Sequence, residues 1–114
     1  MAEGLAEQAF QAIEKARDSG KIKRGVNEAT KALERGTAKL IVVADDTQPP
    51  EIIAHLPLLS KEKNTPFVNV PTKKELGSAA GIGVPTSAVA IIDEGQAKDL
   101  IKEIASKQGE KEKA

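Results

Sequence analysis

The strongest structural signal in this 114-residue chain is the segment Ala38-Lys39-Leu40-Ile41-Val42-Val43-Ala44. Its apolar residues follow one another without polar interruption from Leu40 onward, which is typical of a strand buried on both faces of a sheet. Such a strand needs helices on both sides of the sheet to cover it. The flanking sequence should therefore supply amphipathic helices in both directions.

Helical patterns occur on either side of this strand. Apolar residues at helical spacing predict helices over about residues 5–19, 27–36, 52–59, 72–79 and 97–104. Asn27 is expected to cap the second helix, and Pro57 is expected to interrupt the third. Helices therefore precede and follow the central stretch, as a doubly covered strand requires.

Extended patterns alternate with these helices. Residues 21–25 predict a basic edge strand or an exposed loop, residues 67–70 a second central strand and residues 87–92 a third buried strand. The alternation predicts an α/β/α sandwich with helices on both faces of a small, largely parallel sheet. Residues 1–108 are expected to form a single domain, and residues 109–114 a flexible, charged tail.

The composition excludes several classes of function. The chain has no Cys and one His, which excludes disulfide scaffolds, thiolate metal sites and multi-histidine mechanisms. No apolar run approaches the roughly 20 residues of a membrane helix, so a cytoplasmic protein without a membrane partner is expected. Phe10 and Phe67 are the two aromatic residues, too few for a platform that stacks single-stranded bases.

The charges cancel overall but are unevenly distributed. The 17 Lys and Arg residues balance 17 Asp and Glu residues, which argues against coating of nucleic acid by charge alone. Residues 14–39 carry eight Lys and Arg against four acidic residues, whereas residues 45–62 carry one Lys against four acidic residues. A locally basic end suits a polyanionic partner, although chance clustering on a solvated helix face explains the same pattern.

The segment Gly25-Val26-Asn27-Glu28-Ala29-Thr30-Lys31 is the most informative for function. Glu28 and Lys31 lie one helical turn apart and Asn27 faces Lys31, so their polar groups can converge. This set suits guanine. The Glu28 carboxylate can accept hydrogen bonds from the imino and amino hydrogens of guanine, and the Lys31 ammonium can donate to its keto oxygen. Free amides at the helix start attract phosphate. Alternatively, Asn27 only caps the helix and Glu28 forms a surface ion pair with Lys31.

The loop Gly81-Ile82-Gly83-Val84-Pro85 is unusually apolar for a connection. Apolar residues at an exposed loop tip can cover an unstacked or flipped-out base where no aromatic ring is present. Alternatively, they belong to a helix-to-strand turn that caps the core. Gly81 and Gly83 do not make a phosphate-binding loop, because the Lys and the Ser or Thr of that motif are missing. A nucleotide hydrolase is therefore rejected.

These segments resemble the kink-turn-binding ribosomal protein family of archaea and eukaryotes, the L seven Ae family. The resemblance covers about residues 5–105. It is carried by residues 21–31, residues 38–46, Ile53-Ala54-His55-Leu56-Pro57-Leu58-Leu59 and Lys73-Lys74-Glu75-Leu76-Gly77. Its most specific piece is the Gly-x-Asn-Glu-x-x-Lys core that starts at Gly25, follows a basic strand and precedes Glu34-Arg35-Gly36.

The resemblance implies an α/β/α sandwich with a small, mixed, four-stranded sheet. It also implies an RNA ligand, the kink-turn, a bulged duplex bent sharply beside tandem sheared G·A pairs. By position, Asn27, Glu28 and Lys31 would recognise the sheared guanines, and the backbone amides of Gly25 and Val26 would approach the RNA. The other contacts implied are phosphate contacts at Lys23 and Lys73, packing on bases at Ile52, and extruded nucleotides held at Ile82, Gly83, Val84 and Pro85.

The resemblance also implies a binding protein rather than an enzyme, with no catalytic residue, cofactor or metal. Its partners would be RNAs that contain a kink-turn: large-subunit ribosomal RNA, box C/D and box H/ACA guide RNAs and ribonuclease P RNA, together with other ribonucleoprotein proteins. His55 is interpreted as a capped or packed helix residue rather than a proton donor, since nothing orients a Ser/His/Asp set.

The chain departs from the family pattern at a few positions. Gln48 stands where members commonly have an acidic residue, and Gly83 where they have a charged or polar one. Gly83 is expected to loosen the loop and weaken its hold on RNA. Ser60 stands where archaeal members often have Cys, and Phe67 and Asn69 where they often have Tyr, which we interpret as core or surface drift.

Two other functions remain open from the residues. One is a protein–protein scaffold that keeps the sandwich without binding RNA. The other is a small-ligand domain whose site lies at the strand ends. Titration of a kink-turn RNA and a straight duplex separates all three possibilities.

Overall fold

The computed structural model describes residues 2–47 and 50–113, with side chains at residues 6–47 and 51–106. The expectation for Gln48 lies outside these residues. The helices are α1 Ala2–Ser19, α2 Val26–Glu34, α3 His55–Glu62, α4 Lys73–Ala79 and α5 Lys98–Lys113. The strands are β1 Lys21–Arg24, β2 Leu40–Ala44, β3 Phe67–Val70 and β4 Ala88–Asp93, and 3-10 turns lie at Pro50–Ile52 and Gly95–Ala97.

The four strands of the described chain form one sheet in the order β1-β4-β2-β3. β4 is antiparallel to both of its neighbours, whereas β2 and β3 are parallel. The sheet is therefore mixed, as the resemblance implied, and the prediction of a largely parallel sheet is wrong. Alternation of helix and strand sets the order of elements but not which strands become neighbours, and here β4 inserts between β1 and β2.

The edges of the sheet are β1 and β3. The basic segment at Lys21–Arg24 is an edge strand, one of its two predicted forms. The prediction that Phe67–Val70 is central is wrong. Val68 and Val70 are buried while Asn69 between them is exposed, so β3 buries one face fully and pairs along one side.

The strand that anchors the fold is buried on both faces, as predicted. Every residue of β2 has no exposed surface. Leu40, Val42 and Ala44 pack into a core with residues of α1, α4 and α5. Ile41 and Val43 pack into a second core with residues of α2 and α3. The chain is thus a three-layer α/β/α sandwich.

Two helix boundaries differ from the prediction. The break in the third helix comes before His55, and Pro57 lies in the first turn of α3, where its missing N–H has no intrahelical acceptor to lose. The last helix continues through Lys113, beyond its predicted end near residue 104, because the residues that follow are mostly helix formers. None of the helices in the described parts of the chain is long and apolar enough to cross a membrane.

Ser60 is a buried polar residue of α3 whose effect on stability can be tested. The residue is 1% exposed, and its hydroxyl has no hydrogen-bond partner among the described residues. A buried, unpaired polar group costs stability. We expect Ser60→Ala to raise the free energy of unfolding by about 1 kcal/mol, measured by chemical denaturation. A loss of stability of that size would show that the hydroxyl is paired in solution.

Candidate nucleic-acid interface

One end of the sheet collects the segments that the sequence analysis singled out. β1, β2 and β3 run toward this end and β4 starts from it, given their pairing directions. The Gly25 N–H donates to the Ala88 carbonyl at 2.7 Å, and the Asp45 N–H donates to the Val70 carbonyl at 2.8 Å. The segments that leave β1, β2 and β3 and the segment that enters β4 therefore lie side by side.

Gly25 makes the turn from β1 into α2. Its φ of 101° and ψ of 155° lie in a region that glycine adopts without strain, and it occupies the N-cap position. The helix then begins at Val26, so the prediction that Asn27 caps it is wrong: Asn27 is an exposed residue of the first turn. Since no side chain caps α2, the N–H groups of Val26, Asn27 and Glu28 have no acceptor among the described residues.

Glu28 and Lys31 form the ion pair that the sequence allowed. Lys31 Nζ lies 3.9 Å from Glu28 Oε1, with side chains that are 57% and 43% exposed respectively. A pair this exposed contributes at most about 1 kcal/mol to stability. Both charged groups therefore remain accessible to a ligand and can leave each other at little cost.

A groove lies between the start of α2 and the segment that leads into α3. It has a volume of about 720 Å³. Its lining is Arg24, Gly25, Val26, Asn27, Glu28, Thr30, Lys31, Ile52 and His55. The structure thus brings six of the predicted site residues together, and it places Ile52, which is 43% exposed, opposite the polar residues of α2. Lys23 is exposed on β1, one residue before the groove begins.

Three residues of this groove were not predicted from the sequence: Arg24, Thr30 and His55. His55 was interpreted as a capped or packed residue, but its side chain is exposed, and its Nε2 lies 2.7 Å from Thr30 Oγ1. The sequence held a usable signal for His55. It follows Ile52 by three residues, which is about one turn of the helix predicted over residues 52–59. No group of three His, Asp or Glu side chains in the described chain is placed to hold a metal ion.

The apolar loop runs back along α4. The Ile82 N–H donates to the Gly77 carbonyl at 3.2 Å, and the Thr86 N–H donates to the Lys73 carbonyl at 3.1 Å. Between these two bonds, Gly77 allows the Val84 carbonyl to approach so closely that a Cβ at Gly77 would collide with it. The loop is therefore held at both ends and near its middle.

The exposure of this loop argues against the interpretation that it caps the core. Val84 is 59% exposed and Pro85 is exposed, so neither caps the core, whereas Ile82 is half-buried. Gly83 has a φ of 70°, a left-handed conformation that favours glycine and gives a backbone reason for its presence there.

Lys73 lies at the start of α4 beside this loop, and its backbone N–H donates to Asp46 Oδ1 at 2.9 Å. Thr72 caps the same helix by accepting from the Glu75 N–H at 3.2 Å. The loop is a surface separate from the groove, because none of residues 81–86 lines the groove.

Comparison with known proteins places this geometry in a family. A family model described as the ribosomal protein L7Ae/L30e/S12e/Gadd45 family matches residues 7–101. A solved structure described as the Giardia lamblia 15.5kD RNA binding protein is similar, with a TM-score of 0.87 and 34% sequence identity. The match covers 94% of this chain and 89% of that chain. The protein therefore belongs to the ribosomal protein L7Ae/L30e/S12e/Gadd45 family.

Proposed function

We propose that this protein binds RNA and recognises the kink-turn through the groove at the start of α2. The observation that carries the proposal is the convergence of Asn27, Glu28, Lys31 and Ile52 in one groove, beside backbone N–H groups that have no acceptor among the described residues. The similarity to an RNA-binding protein of 34% identity supports it. The proposed activity is binding and not catalysis, in line with a family named for ribosomal proteins.

The chemistry of the groove favours a folded RNA over a simple polyanion. Arg24 and Lys31 attract phosphates, but Glu28 repels them. A carboxylate in this position is useful when it accepts hydrogen bonds from a base edge, and guanine offers adjacent imino and amino hydrogens. Ile52 presents an apolar surface on the opposite side of the groove, against which a base can pack.

A kinked RNA can engage both surfaces at this end of the sheet. In the proposal, sheared guanines enter the groove, Lys23 and Lys73 contact phosphates, and Ile82, Gly83, Val84 and Pro85 contact nucleotides extruded from the bulge. Binding then stabilises the bent conformation at the expense of the straight one, because the straight duplex makes fewer of these contacts. No aromatic platform is needed, since recognition combines shape with base edges.

The RNA partners follow from the motif. We infer that the natural ligands are RNAs that contain a kink-turn: ribosomal RNA, box C/D and box H/ACA guide RNAs and ribonuclease P RNA. The protein would act there with other ribonucleoprotein proteins. All of these RNAs present the same motif to the same surface, so the groove does not rank them.

Titration of one kink-turn RNA and of a straight duplex tests the proposed function. The duplex has the same composition but lacks the bulge and the G·A pairs. We expect tight binding to the kink-turn RNA and at least about a hundredfold weaker binding to the duplex, as several base contacts are lost. Equal affinity for the two RNAs would contradict kink-turn recognition, and no affinity for either would favour the scaffold.

The salt dependence of binding gives a second prediction. Four cations line the groove or are proposed to contact phosphates: Lys23, Arg24, Lys31 and Lys73. With so few phosphates neutralised, we expect the slope of log affinity against log salt to be no steeper than about −4, measured from 50 to 300 mM salt. A slope near −10, which is typical of an extended basic coat, would contradict docking at one end of the sheet.

A further inference from the structure

One hydrogen bond joins the two walls of the groove. Thr30 lies on α2, in the wall that carries Glu28 and Lys31, and His55 opens α3, in the wall that carries Ile52. Their side chains meet with 2.7 Å between Thr30 Oγ1 and His55 Nε2. In the described residues, no salt bridge and no other side-chain hydrogen bond joins α2 to α3.

The direction of this bond follows from the second contact of Thr30. Its hydroxyl has a single hydrogen, and it donates that hydrogen to the Val26 carbonyl at 2.8 Å. The Thr30 oxygen can then only accept from His55, so Nε2 carries the ring proton and donates. The neutral ring is thereby held in one tautomer, with Nδ1 unprotonated.

We propose that Thr30 and His55 form a latch that sets the width of the groove and so positions Ile52 for kink-turn RNA. This inference rests on the proposed function. Ile52 and His55 are three residues apart, across the short break between the 3-10 turn and α3. The latch ties the start of α3 to α2 directly after the segment that carries Ile52. Both residues act here as positioning residues, through the neighbours that meet the ligand.

Three variants test the latch with few changes in shape. His55→Ala removes the donor, and Thr30→Val removes the acceptor while keeping a branched side chain. His55→Gln restores an N–H donor at a similar reach from the backbone. We expect each of the first two to weaken kink-turn RNA binding by about three- to tenfold, mainly through faster dissociation, as the loss of one neutral hydrogen bond implies. The Gln variant should recover most of the affinity.

The double variant distinguishes a latch from two independent contacts. If the two side chains act through one bond, His55→Ala combined with Thr30→Val should bind no more weakly than either single variant. Additive losses would overturn the latch and indicate that each side chain meets the RNA separately. Affinities equal to that of the starting protein, with melting temperatures lowered, would also overturn it, because the bond would then stabilise only the fold.

A measurement without RNA separates this inference from the proposed function. Nitrogen NMR of the ligand-free protein should show the neutral His55 ring protonated at Nε2, and Thr30→Val should shift the Nε2 signal to that of a ring without this hydrogen bond. The opposite tautomer in the starting protein would overturn the latch whatever the RNA result. If the starting protein did not prefer kink-turn RNA over the straight duplex, the proposed function would be refuted. The role of the latch in RNA binding would then be refuted as well.

Discussion

Glu28→Ala should weaken binding of kink-turn RNA by about 1–3 kcal/mol, roughly 5- to 150-fold, which is the scale of one bidentate base contact. The groove is otherwise suited to phosphates, with Arg24 and Lys31 in its lining. Removing a carboxylate from such a surface would strengthen binding if charge alone were at work. A loss of affinity therefore requires that Glu28 accept hydrogen bonds from a base. Isothermal titration or filter binding at fixed salt measures the effect.

A change in the stability of the Glu28→Ala variant should not account for its loss of RNA affinity. The Glu28 side chain is 43% exposed and its ion pair with Lys31 spans 3.9 Å. The free energy of unfolding of the variant should therefore lie within about 1 kcal/mol of that of the starting protein. Glu34→Ala is a matched control, because Glu34 is an exposed carboxylate at the last residue of the same helix and does not line the groove. If Glu28→Ala bound kink-turn RNA as well as Glu34→Ala does, the guanine assignment would be wrong.

Val84→Asp should lower kink-turn RNA affinity by at least about tenfold while leaving the melting temperature nearly unchanged. Val84 is 59% exposed, so a carboxylate at its position stays hydrated in the free protein and strands no buried charge. In the complex, the same carboxylate would face phosphates and lose apolar contact with the extruded bases. Thermal melting and RNA titration of one preparation measure both quantities.

Leu58→Asp provides the control for an added charge at an exposed apolar position. Leu58 is 73% exposed on α3 and lies outside both the groove and the loop. The Leu58→Asp protein has the same net charge as the Val84→Asp protein. It should nevertheless bind RNA nearly as well as the starting protein does, because Leu58 lies outside both proposed surfaces. An unfolded Val84→Asp protein would show that the loop caps the core in solution. Normal RNA binding by this variant would remove the loop from the proposed site.

The layers of the fold could be predicted from local patterns of residues. The unbroken apolar run of β2 predicts burial on both faces, and every residue of β2 is buried. The helical spacing in residues 5–19 and 97–104 predicts α1 and α5, which cover one face. These features are local, because the burial of a residue is recorded in its own polarity and in that of its near neighbours. The resemblance added the mixed sheet, which periodicity could not supply.

Residues of the candidate site could be predicted where a short motif holds them together. Asn27, Glu28 and Lys31 share one helix, so their convergence follows from helical spacing. The start of that helix could not be placed correctly, because the conformation of Gly25 depends on its bond to Ala88, a residue more than sixty positions away. The loop was recognised as apolar, but its exposure could not be predicted from composition.

Tertiary structure alone decided which distant segments meet. The insertion of β4 between β1 and β2 places the start of α2 beside the start of β4, and the packing of α2 and α3 on one face brings His55 to Thr30. The need for glycine at position 77 is visible only in the folded chain, where a Cβ on Gly77 would collide with the carbonyl of Val84. Such contacts depend on the relative positions of whole elements. Those positions are set by the packing of the two cores on the sheet, which no local pattern of residues records.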